Sequence, residues 1–145
     1  MKDIKTINDL VSITKDLSEV YIHNINYINN NYVFRGVSED KILTNSELIF
    51  DKIISKYKIP LSDTKCQSAA YIFALATYVG YVGIQADNKY KKSNGKCKSI
   101  SLGKITDKEI DYLIDTVLPN VKPYNDWVTE LLDRIKGEEL WNQQD

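Results

Sequence analysis

Residues 68–86 read SAAYIFALATYVGYVGIQA. This run carries no formal charge and shows apolar groups on every side of a helical wheel. Only two settings accept such a segment: a membrane or the centre of a folded core. Three tyrosines, two glycines, Thr77 and Gln85 weigh against a lipid-facing span. The run therefore predicts a central core helix over about 64–80, with an upper limit near Ala86. The helix is expected to start near Ser62–Thr64, just after Pro60. The alanines allow close neighbours. Gly80 and Gly83, in YVGYVG, are expected to bend or end the helix.

A central helix needs others around it. Upstream, Leu17, Val20, Tyr21, Ile25 and Ile28 continue a helical period that begins near Thr6, and the asparagines 29–31 end it. Thr44-Asn45-Ser46-Glu47 has capping-box spacing and predicts the start of a second helix that stops near Lys58. Downstream, Thr106-Asp107-Lys108-Glu109 is another capping box, opening a helix that Pro119 stops. A fifth helix is expected from about Asn125, with Trp127, Val128, Leu131, Leu132 and Ile135 on one stripe and Gly137 closing it. Residues 138–145 then form a polar tail in which only Trp141 is suited to dock.

Between the third and fourth helices, DNKYKKSNGKCKSISLGK reads as a loop or hairpin, with Asn94-Gly95 as its turn. Tyr32–Val37 is a short β-prone piece that can pair with Lys98–Leu102. The expected fold is mainly α: a single compact domain, 1–145, of about five helices around the helix at 64–80, with a small β-hairpin or extended pair.

Composition limits the functions. The chain has 145 residues and a net charge of −1, so no global field draws it to nucleic acid or to an anionic membrane. The first residues, MKDIKTIND, lack the apolar core of a secretory signal. The two cysteines and one histidine have no metal-ligand spacing, so neither a metal nor a cofactor is expected. GxxxxGK[ST], GxGxxG and HExxH are all absent. His23 stands alone in YIHNIN and has no triad partner, which suits a partly buried or capping role. The helix pair around Pro60 has helix-turn-helix spacing, but its second member is the apolar core run and cannot read a groove. A cytoplasmic, non-enzymatic protein is the expectation.

The charges are unevenly placed. Residues 89–105 carry six lysines and no acid, and residues 106–145 carry a net −6. The basic block is either a solvated loop or a contact surface for an acidic protein or a phosphate backbone. Tyr90 could stack on a base there. The candidate partner-binding residues are Arg35, Lys89, Tyr90, Lys91, Lys92, Lys96 and Lys98.

Arg35 is one of only two arginines and sits in YVFRGVSEDKILTNSELI. Its Phe-Arg-Gly tripeptide resembles the motif that names the FRG domain, a family related to ADP-ribosyltransferase folds. The resemblance implies a nucleotide phosphate on Arg35. The chain departs from that pattern at Tyr78-Val79-Gly80, where a His-Tyr-Gly segment followed by Pro-Thr-Arg belongs. Its helical content is also too high for that enzyme core, and no membership is assigned. The expected function is that of a small protein-binding module that occludes a partner, as immunity proteins and phage- or mobile-element-encoded inhibitors of host defence do. The alternative is a nucleic-acid or nucleotide-binding protein using the lysine-rich stretch 89–104.

Overall fold

The structure, a computed structural model, describes residues 7–35 and 40–143, with side chains for 15–35 and 40–133. In chain order it contains α1 (Ile7–Asn31), β1 (Val33–Phe34), α2 (Asp40–Tyr57), α3 (Thr64–Lys92), β2 (Ser99–Ile100), α4 (Asp107–Tyr112) and α5 (Lys122–Gln143). A π turn (Leu113–Val117) and a 3-10 turn (Leu118–Asn120) join α4 to α5. The chain is mainly α and is built around α3, as the central apolar run requires.

The start of α3 is set by Asp63, whose side chain accepts the Cys66 N–H at 3.1 Å. Cys66, Ala69, Ala70, Phe73, Ala74 and Val79 are then buried nearly completely. The small residues let α1 and α2 lie close on either side. Asn24 and Ile28 of α1 lie near Gly80 and Gly83, while Tyr27 and Tyr32 reach Asp87, so α1 runs parallel to α3. Phe50 packs against Tyr71 while Asn45 meets Tyr78, so α2 runs antiparallel to it. Lys58, at φ 51°, ends α2, and the Ile59 N–H closes back on the Ile54 carbonyl.

The direction of the strand pair follows from this arrangement. The strands β1 and β2 leave the same end of two parallel helices, so Val33–Phe34 pairs in parallel with Ser99–Ile100. The expected pairing of the two segments is therefore present. A hairpin centred on Asn94-Gly95 is not. Those residues sit at φ 56° and 79° and finish α3, with the Gly95 N–H donating to the Tyr90 carbonyl at 2.9 Å.

Three boundaries differ from the sequence reading. First, α3 runs straight through Gly80 and Gly83 to Lys92, so residues 87–92 are helix rather than loop. Second, α2 begins at Asp40, and Thr44, Asn45 and Ser46 lie inside it. Ser46 Oγ donates to the Ile42 carbonyl at 2.6 Å, and Asn45 has tertiary partners, so neither acts as a cap. Third, α5 begins at Lys122 and continues through Gly137 to Gln143, taking in most of the expected tail. The docking of Trp141 and the turn at Gly36 lie outside the described residues.

The capping box at Thr106 is formed in full: Glu109 N–H donates to Thr106 Oγ1, and Glu109 Oε1 accepts the Thr106 N–H. Beyond it, Tyr124 and Trp127 of α5 pack on Phe73, and Tyr57 meets Trp127 edge-on. Trp127 Nε1 reaches no acceptor among the described residues. By length and composition α3 could cross a bilayer, yet half of its most apolar window is buried within the fold.

Candidate functional site

Helix geometry divides the lysine block. Lys89 and Lys92 are three residues apart on α3 and share a face. They stand over a cleft of about 430 Å³ between α3 and residues 99–105, with Lys104 on the opposite wall. Lys91 points to another side of α3. With Lys98, Tyr27, Tyr32 and Asp87 it lines a second hollow.

A buried asparagine holds one wall of the first cleft. Asn45 is fully buried on α2. Its Nδ2 donates to the Tyr78 hydroxyl at 2.7 Å and to the Gly103 carbonyl at 2.9 Å, and its Oδ1 accepts the Ile105 N–H at 2.9 Å. One side chain thereby ties α2, α3 and the 103–105 strip together. A strip without helical or strand hydrogen bonds gains a fixed position from it.

The far end of the cleft carries Tyr81 and Glu109. The Tyr81 hydroxyl donates to Glu109 Oε2 at 2.9 Å. Desolvation, with the Glu109 carboxylate beside it, pushes the Tyr81 hydroxyl up to about 12. Desolvation also acts to raise Glu109. The Thr106 N–H and the hydroxyls of Tyr81 and Thr106 outweigh it, and the net shift is downward. Glu109 is therefore a carboxylate at neutral pH. Burial raises the Tyr78 pKa, partly offset by its bond to Asn45. The cleft thus has a carboxylate–tyrosine end and a lysine end, separated along α3 by about 12 Å from Tyr81 to Lys89 at the helical rise per residue.

Asp87 anchors the second hollow. Its Oδ1 accepts both the Tyr27 hydroxyl, at 3.0 Å, and the Tyr32 hydroxyl. Burial and that carboxylate raise the Tyr32 pKa. Tyr90 stands edge-on to Tyr32, and its hydroxyl would lie 3.2 Å from a Cβ placed on Gly95. Tyr90 is therefore only partly available as a stacking surface.

Arg35 follows β1 and donates its N–H to the Ile100 carbonyl at 3.0 Å, while the Val33 N–H donates to the Lys98 carbonyl. Two candidates, Arg35 and Lys98, far apart in sequence, thus meet on one strand pair. Arg35 and Val33 are both exposed, Val33 to 67%. Cys97 lies beside them. Hydrogen bonding with the Ser99 backbone lowers its thiol pKa first, and the Ser99 side chain and the nearby Lys89 and Arg35 lower it further against desolvation.

The structure therefore gathers all the expected partner-binding residues at one end of the molecule but does not make them one patch. Lys89 and Lys92 face the cleft, Lys91 and Lys98 line the hollow with Tyr90, Arg35 extends β1, and Lys96 is exposed in the turn between. His23 is exposed on α1 rather than partly buried. No metal-binding cluster occurs among the described residues. Sequence reasoning missed Asn45, Tyr81 and Glu109 as parts of a site. The signal was present for Glu109, whose capping box placed it at a helix start. Asn45 lies between the Thr44 and Glu47 of a capping-box spacing, which hides its tertiary role.

No family model, no curated protein and no solved structure matches this chain.

Proposed function

We propose that this protein is a binding module that captures an acidic partner protein through the end of the molecule where β1–β2 meets the C-terminus of α3, and occludes that partner. The convergence of Arg35 with Lys91, Lys96 and Lys98 around the strand pair supports the reading. Cations on a rim steer association and select against basic surfaces. Val33, exposed next to Arg35, adds apolar area to this surface, and Arg35 is of the residue type that anchors protein interfaces. That apolar area favours a protein over a nucleic acid.

The test is capture from a lysate of the source cells at about 0.15 M salt. Tagged wild-type protein is compared with Arg35→Glu/Lys91→Glu/Lys98→Glu, each with and without nuclease. The expected result is one discrete protein that survives nuclease and is lost with the triple variant. Release by nuclease would transfer the surface to nucleic acid, and equal capture by the triple variant would remove it from the interface.

A further inference from the structure

We propose that the cleft between α3 and residues 99–105 is a separate binding site for a small nucleoside phosphate. Its volume of about 430 Å³ lies within the range of small-molecule sites. A lone phosphate would leave most of that space, and the aromatic and aliphatic lining, unfilled. A longer ligand with two chemically different ends fits the lining better.

The lysine end is suited to phosphate. Lys89 and Lys92 stand one turn apart on the same face, and Ser99 lines the wall opposite. Ammonium and hydroxyl groups lining one end of a cleft suit a doubly charged oxyanion. The other end is suited to a base. The Tyr81 ring lines it, and an aromatic ring suits stacking on a base. Glu109 has one donor on Oε2 and two on Oε1. A carboxylate offers about four acceptor positions, so room remains for an N–H on a ring or an exocyclic amine. Gly103 leaves open space where a Cβ would be, so a ligand can approach that stretch of backbone. The wall it belongs to is fixed before any ligand arrives, because Asn45 holds Gly103 and Ile105. A preformed wall spares a ligand the entropy of ordering a loop.

This site is independent of the partner surface. The side chains assigned to phosphate are Lys89 and Lys92, whereas the capture experiment alters Arg35, Lys91 and Lys98. Either reading can fail while the other stands.

The experiment is calorimetric titration of the full chain with ADP, GDP, CDP and UDP, and in parallel with inorganic pyrophosphate and the four nucleosides. Two variants with the same charge change are titrated alongside: Lys89→Glu/Lys92→Glu, and Lys52→Glu/Lys65→Glu at the other end of the helices. Circular dichroism confirms that both remain folded. At least one nucleoside diphosphate is expected to saturate the protein about tenfold more tightly than pyrophosphate or its own nucleoside. The Lys89/Lys92 variant should lose about tenfold or more of that affinity, and the Lys52/Lys65 variant should keep it. Three outcomes overturn the proposal: no saturation below about 1 mM, pyrophosphate binding as tightly as the best nucleotide, or equal weakening by both variants.

Discussion

From Thr64 to Val79, α3 is enclosed, and from Gly80 to Lys92 it is open on two sides. The first half is held by packing. Phe73 lies against Tyr124 and Trp127, and the alanines lie under α1 and α2. The second half is held by polar contacts at intervals along it. At the junction Tyr78 meets Asn45, and beyond it Tyr81 meets Glu109 and Asp87 receives Tyr27 and Tyr32. Packing against an apolar helix tolerates imprecision, because dispersion and burial are not directional. Hydrogen bonds fix position, and clefts need walls at fixed positions. The half of α3 that builds the core and the half that builds the candidate sites are thus stabilised by different physics.

The largest effect should come from breaking the first half. Phe73→Ala removes the ring on which Tyr124 and Trp127 rest, at residue burial near 1% exposure. A loss of about 3–5 kcal/mol in unfolding free energy is expected from a buried aromatic cavity, measured by denaturant titration. A loss below about 1 kcal/mol would mean that α5 collapses into the space. In that case the aromatic cluster would not be the centre of the core.

The same division explains what the sequence made legible. The core half was readable because nineteen uncharged residues admit few fates, and the pairing of the Tyr32 and Lys98 segments was readable from β-propensity. The extent of α3 was not. Gly80 and Gly83 look like breakers, and the lysines look like a loop, because local propensity cannot see α1 packing alongside. The helix continues since Ile28 and Asn24 lie at ordinary contact distance from those glycines. Asn45 looks like a residue of a helix start because the Thr44–Glu47 spacing that encloses it is a local signal. Its actual partners, Tyr78, Gly103 and Ile105, lie 33 to 60 residues away. Long-range polar clamps of this kind have no short sequence signature, and they build the candidate cleft.

Asn45→Ala tests the second half, with the next largest effect. The change strands the Ile105 N–H and takes a donor from the Tyr78 hydroxyl, both in buried surroundings. Leaving buried groups unsatisfied costs about 1–3 kcal/mol each, so a total loss of roughly 2–4 kcal/mol is expected. Hydrogen exchange separates this from a general loss of stability. Ile105 should lose protection well beyond residues such as Ala70 and Phe73 in the first half of α3. Uniform loss along α3 would show that the two halves unfold as one and that the clamp is not local.

Gly80→Ala sharpens the comparison with the smallest effect and the opposite sign. Gly80 lies at the junction of the two halves. A Cβ there would meet Asn24 Nδ2 at 3.8 Å, an ordinary van der Waals contact. Glycine in a helix interior costs about 0.8–1.0 kcal/mol relative to alanine. The added methyl also gains some burial against α1. The variant should therefore be more stable than wild type by about 0.5–1 kcal/mol, read as a higher denaturation midpoint at unchanged slope. A destabilised variant would mean that α1 needs a closer approach at this level than Asn24 indicates, and that Gly80 is a packing residue. The expected gain would instead show that α3 is one continuous helix, whose change of character at Gly80 comes from the residues around it and not from a break in its backbone.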